Sequence, residues 1–292
     1  MTLAATILGL ALALQPGPSI GIGELPQQAD ATPAELEGVG VTEKLGDKLP
    51  TDLTFRTHEG KTVTLGQVLA HDKPTILTFN YSDCPMLCSV QLNGLVDTLR
   101  EMEWTLGQEY DVLTVSIDPK EQPDRAELTR ERYLDQYKRE PAPGAWNFLV
   151  GDETSVRRLA ESVGFGYRLN PENGEWLHTA ALILLSGDET VSRYLYGVQY
   201  SPKTTQLSLT EASQGKLGSP MDQIVLYCFA YDPNAGTYTP VVANMMRLGG
   251  AATVVVLGGF VLATILRSRR RKKTDDSSPR ELDTHEPDRS LT

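Results

Sequence analysis

Three cysteines occur in this 292-residue chain, and two of them sit four positions apart in Cys84-Pro-Met-Leu-Cys88. On a regular helix, Cα atoms three residues apart are about 5.0 Å from each other and those four apart about 6.2 Å. The second value is near the upper edge of what a disulfide spans. Two thiolates on one metal lie roughly 4 Å apart, against about 2.05 Å in a disulfide. The extra residue relative to Cys-x-x-Cys therefore tilts the pair toward holding a metal and leaves oxidation open. A count of three is too odd and sparse for a disulfide-stapled scaffold. Cys228 lies in the apolar run Ile224-Val-Leu-Tyr-Cys-Phe229 and reads as a packed core thiol.

Two sulfurs are an incomplete site for most metals, and His178 is the best third ligand among the four histidines. His285 lies in a tail beyond an apolar segment, and His58 and His71 read as turn residues. Two thiolates and an imidazole suit copper, since soft sulfur favours Cu(I) and nitrogen helps accommodate Cu(II). The plain alternative for His178 is a hydrogen-bonded loop or edge-strand histidine. Met86 offers a soft sulfur between the cysteines but reads as an exposed packing residue. Asp118-Pro119 reads as a turn, with a role in orienting the site as the alternative.

The elements that must position these groups alternate between strand and helix. Leu53–Phe55 and Thr62–Leu65 around His58-Glu-Gly60 read as a hairpin, and Thr75–Tyr81 as a central strand running into the cysteine loop. From Cys88, the apolar residues Leu92, Leu95, Leu99 and Met102 recur at three- and four-residue spacing, which predicts a helix with one buried face. The cysteines thus fall where a strand hands over to a helix, where the helix dipole and backbone N–H groups lower a thiol pKa. Next come a strand at Asp111–Ile117, a charged helix at Arg125–Lys138, a strand at Trp146–Val150 and a helix at Thr154–Val163. A second hairpin follows, Thr179–Leu185 with Thr190–Tyr196, and then a helix at Thr205–Gln214. The pattern predicts an α/β fold with a mixed central sheet and helices on both faces, a thioredoxin-like plan.

The formal net charge of −11 speaks against a nucleic-acid partner. From Arg267 onward there are eight Lys/Arg against six Asp/Glu, which leaves 19 basic against 32 acidic residues before it. Leu248–Leu266 holds 19 residues without a charge, enough to cross a bilayer as a helix. Six of the next seven residues are basic, which by the positive-inside rule leaves the tail, 267–292, cytoplasmic and the main domain outside. Met1–Leu14 resembles a signal h-region, with Ala11-Leu-Ala13 as a small-residue cleavage site and no basic n-region. Residues 15–38 read as a linker, 39–240 as the folded domain, and the polar tail from Thr274 as disordered.

The run Leu77-Thr-Phe-Asn-Tyr-Ser-Asp-Cys-Pro-Met-Leu-Cys88 is followed by Leu92-Asn-Gly-Leu95, Thr114-Val-Ser-Ile-Asp-Pro119, His178 and Ser192-Arg-Tyr-Leu-Tyr-Gly197. Together these resemble the Sco/SenC proteins over about Val39 to Pro240. The later Gly218–Gln223 and Tyr231-Asp-Pro233 further resemble a membrane-tethered bacterial branch. The resemblance implies a thioredoxin-like domain in which Cys84, Cys88 and His178 bind copper. It also implies a recipient, the dinuclear copper site of cytochrome c oxidase subunit II or a similar copper protein, with other copper chaperones or thiol reductants as further partners. Two positions depart from the pattern: Ser89 stands where Pro often follows the second cysteine, and Leu177 where Asp often precedes the histidine. The second removes a carboxylate from beside the imidazole, which bears on Cu(II) affinity.

Two functions compete on these residues. As a metallochaperone, the chain binds copper through the Cys-x3-Cys pair and His178 and passes it on by ligand exchange. As a thiol-disulfide reductase, Cys84 attacks and Cys88 resolves, and the histidine is dispensable. A peroxidase of the peroxiredoxin class fits poorly. That pattern has Thr three residues before the reactive cysteine and Pro four further back, where this chain has Tyr81 and Leu77.

Overall fold

The computed structural model describes residues 37–69, 72–84, 87–214, 225–227, 229–232 and 237–275. The expectations for Met1–Leu14, for most of the linker, and for His71, Met86, Cys228, Gly218–Gln223, Pro233 and His285 lie outside them. So do the side chains of Leu87 and Cys88.

The middle of the sheet is built from runs with no polar face. β4 (Thr75–Asn80) and β5 (Asp111–Ser116) are buried at every position, as parallel strands covered on both sides must be. They pair in parallel from Thr75↔Asp111 to Asn80↔Ser116, and β6 (Trp146–Val150) continues the parallel set beside β5. Antiparallel strands flank this centre. β2 (Thr54–Thr57) and β3 (Thr62–Thr64) lie beyond β6, and β9 (Ala181–Leu185) and β10 (Val191–Tyr196) lie beyond β4. The order is β10-β9-β4-β5-β6-β2-β3.

Side chains alternate across the sheet with period two, and the helices divide accordingly. Leu77 and Phe79 face a cluster containing Leu65 and Leu69 of α1 (Leu65–Leu69) and Val156, Leu159 and Ala160 of α4 (Glu153–Ser162). Ile76 faces the opposite cluster, with Leu92, Leu95 and Leu99 of α2 (Leu87–Glu101), Tyr133 and Tyr137 of α3 (Pro123–Tyr137) and Leu209 of α5 (Pro202–Ala212). The mixed sheet with helices on both faces is the expected thioredoxin-like plan. The heptad-like run Leu92, Leu95, Leu99, Met102 is buried throughout, at 3% exposure or less. Gly94 on α2 has a specific reason: a Cβ there would stand 1.8 Å from the Val198 carbonyl oxygen, so only glycine lets α2 close on the segment after β10.

A second, three-stranded sheet, β1-β7-β8, joins Gly40–Val41, Phe165–Leu169 and Trp176–His178. It has no counterpart among the sequence expectations, and it changes the setting of His178. The residue ends β8, opposite Tyr167, instead of introducing the strand at 181–185. A further hairpin, β11 (Phe229–Asp232) with β12 (Thr237–Pro240), precedes α6 (Val242–Asp275). Within α6, Val242–Ile265 has a mean hydropathy of 2.1 and is long and apolar enough to cross a membrane. The helix starts six residues before the uncharged run and continues through the basic block.

Candidate metal centre

Strand β4 ends at Asn80 and delivers the chain to the cysteine loop. Tyr81 stays buried at 9% exposure. Its carbonyl accepts the Cys84 N–H at 3.3 Å, closing a turn. Cys84 is partly buried and packs against the cluster that holds Tyr81, Phe165 and Tyr167. Three residues later α2 begins at Leu87, so Cys88 is the second residue of that helix, in the turn whose backbone N–H groups have no partner within the helix.

Side chains from two other elements hold this loop. Glu121, in the segment between β5 and α3, accepts from the Ser82 backbone N–H at 3.0 Å, from the Ser82 hydroxyl and from the Ser116 hydroxyl at 2.6 Å. The Thr129 hydroxyl donates to the Ser82 oxygen at 2.8 Å. Asp83 takes both Nε and Nη2 of Arg125 on one carboxylate oxygen, at 2.9 and 2.6 Å. The loop is thus pinned to the start of α3 on either side of Ser82-Asp83. Asp118 keeps to a turn: its carboxylate accepts the Lys120 N–H at 2.9 Å. The orienting carboxylate is Glu121, which the sequence reading passed over. The signal was present in Asp118-Pro-Lys-Glu-Gln-Pro123, a short acidic link between a buried strand and a Pro-initiated helix, but nothing in it says which carboxylate turns inward.

His178 comes from the second sheet and is 8% exposed. Its ring meets the Tyr81 ring edge-on, with centroids 6.3 Å apart, and tilts against Phe165 at 6.2 Å. Nδ1 lies 2.9 Å from the Thr179 carbonyl oxygen. A carbonyl can only accept, so Nδ1 carries the proton and the lone pair is on Nε2. A protein group that takes one ring N–H is the usual device for fixing the tautomer of a metal-binding histidine. Tyr81 therefore touches His178 through its ring and Cys84 through its backbone. Among the described residues no three His, Cys, Asp or Glu side chains form a group that could hold a metal; the Cys88 side chain lies outside them. Beside the loop a cleft of about 630 Å³ opens between Tyr81, Asp83, Asp118, Arg168 and Trp176.

A family model described as SCO1/SenC matches residues 42–214. In structure the chain is similar to a candidate electron transfer protein from Aquifex aeolicus VF5. That match has 21% identity and a TM-score of 0.52, and covers 59% of this chain and 96% of that one. It is also similar to Arabidopsis thaliana ScoI with copper bound (17% identity, TM-score 0.45, 59% and 99% covered). A third match is Bradyrhizobium japonicum ScoI with copper bound (22% identity, TM-score 0.43, 58% and 99% covered). Among curated proteins none matches in sequence.

Proposed function

We propose, for a chain that belongs to the SCO1/SenC family, that copper is its cargo, held by the thiolates of Cys84 and Cys88 and by Nε2 of His178. The observation that carries this reading is the Nδ1–H···O=C bond from His178 to Thr179, because it fixes the ring in the tautomer a metal requires. The donor set suits the ion: thiolates favour Cu(I), and the imidazole helps accommodate Cu(II). Delivery is ligand exchange. Copper–sulfur bonds to Cys84 and Cys88 break as bonds to the recipient's thiolates form, and the protons those thiols give up return to the two cysteines. The copper changes no oxidation state in this exchange. Binding releases protons, so affinity rises with pH through the thiol titration range.

The recipient in this reading is the dinuclear copper site of cytochrome c oxidase subunit II or a similar copper protein. The segmentation 39–240 for the domain, 248–266 for the span and 267–292 for the tail belongs to the same proposal. It places the copper-binding domain outside the cytoplasm and the basic flank inside. His178→Ala tests the assignment against the reductase reading. In a copper carrier it abolishes copper binding by the full-length protein and leaves dithiol exchange nearly intact. Full copper affinity in that variant overturns the histidine's role and leaves a dithiol.

A further inference from the structure

The hairpin β11–β12 is tied to the domain by its own side chains. The Tyr238 hydroxyl donates to Glu211 Oε2 at 2.9 Å and lies 3.3 Å from the Ser208 hydroxyl, both on α5. Glu211 in turn forms a close ion pair with Arg193 of β10. Only Val241 separates the end of β12 at Pro240 from the start of α6 at Val242. At the start of that helix the Asn244 side-chain amide donates to the Tyr227 carbonyl at 2.7 Å.

The sheet register shows which end of the domain this docking occupies. β4 runs from Thr75 toward the cysteine loop, and β9 and β10 alternate in direction beside it. Leu184 pairs with Ile76 and also with Arg193, so Arg193 is level with the first turns of β4. Tyr196, opposite Ala181, lies toward the loop end. α5 begins beyond that end, capped by Ser201, and runs back, so that its last turn brings Glu211 to Arg193. The hairpin therefore docks where β4 starts, while Cys84 follows where β4 finishes. From Ile76 to Asn80 the strand covers about 13 Å at ~3.3 Å per residue, and the loop to Cys84 continues beyond it.

We infer that β11–β12 is a bracket that seats the domain on the bilayer with the pole carrying Cys84 and His178 turned away from it. The partner that fits this surface is an extramembrane domain standing above the lipid, not a membrane-embedded segment. The inference rests on reading α6 as the membrane span and the Cys84–His178 pole as the working surface.

The test uses the full chain in lipid nanodiscs, with a donor dye clicked onto an azido amino acid at one of two positions, so that the native cysteines stay. Lys48, bridged to Thr190 beside the β9–β10 turn, reports the docking pole. Glu172, in the β7–β8 loop that lines the cleft beside Tyr81, reports the site pole. With acceptor-labelled headgroups, transfer from Lys48 exceeds that from Glu172 severalfold, and Tyr238→Phe with Glu211→Gln collapses the difference. Equal transfer from both positions in the unaltered chain overturns the orientation. A difference that survives the double substitution overturns the bracket. A chain that does not enter nanodiscs overturns the anchor reading itself, a separate failure that metal binding would not register.

Discussion

The His178 ring stands edge-on to Tyr81 with 6.3 Å between centroids, although 97 positions separate them in the chain. That contact brings the second sheet onto the cysteine loop, since Tyr81 also accepts the Cys84 amide. One buried aromatic residue thus sets the relation between an imidazole and a thiol that arrive on different elements.

Glu121 is the strongest lever on the loop. Replacing its carboxylate with an amide in Glu121→Gln puts a donor among groups that already donate to it. A hydrogen bond to a charged acceptor is lost and a part-buried group is left poorly matched, at a cost of about 1–3 kcal/mol. Urea denaturation measures this directly, and copper affinity falls along with stability because the loop between Ser82 and Cys84 loosens.

Gly94→Ala would force α2 away from the Val198 carbonyl, which a Cβ would approach to 1.8 Å. Overpacking of this kind costs about 1–3 kcal/mol. Because α2 carries Cys88, the variant also weakens copper binding. Thermal unfolding with and without copper separates the two effects.

Acid should destabilise the apo protein through His58. This side chain is 7% exposed; its Nδ1 accepts the Phe148 N–H at 3.4 Å and its Nε2 lies 3.6 Å from Glu127. Burial first, and then the charge of Arg130, hold its pKa below the ordinary value, against opposing pulls from Glu127 and Glu59. The unfolded chain therefore binds a proton more readily. The stabilising contribution is whole above about pH 6.5 and is lost as pH falls below it toward the depressed folded value, at no more than about 1.4 kcal/mol per pH unit. His58→Asn, which keeps an acceptor for Phe148, flattens that part of the stability profile measured by denaturant titration.

Much of this fold was legible because its central strands and main helices obey strong local rules. The all-buried run at 75–80 and the three- and four-residue apolar spacing of α2 needed no partner to be read. β7 and β8 were missed because the evidence for them is non-local. Phe165 and Tyr167 alternate with Gly166 and Arg168 as a strand should, but the segment is five residues long, and its partners at 40–41 and 176–178 are shorter still. The cysteine pair was plain from spacing. Glu121 and the Thr179 carbonyl were not, since only the folded chain decides which carboxylate faces Ser82 and which ring nitrogen of His178 is held.

The central claim is that both cysteines and His178 bind one copper ion. X-ray absorption on the full-length protein, loaded anaerobically with Cu(I), tests it most directly when paired with metal analysis. The account predicts about one copper per chain, with sulfur scatterers near 2.3 Å and a nitrogen near 2.0–2.1 Å, by analogy with zinc–thiolate and zinc–imidazole bonds. It also predicts loss of the nitrogen in His178→Ala and loss of the metal in Cys84→Ser with Cys88→Ser. Unchanged stoichiometry in the double serine variant, or a spectrum that His178→Ala leaves unaltered, would contradict it.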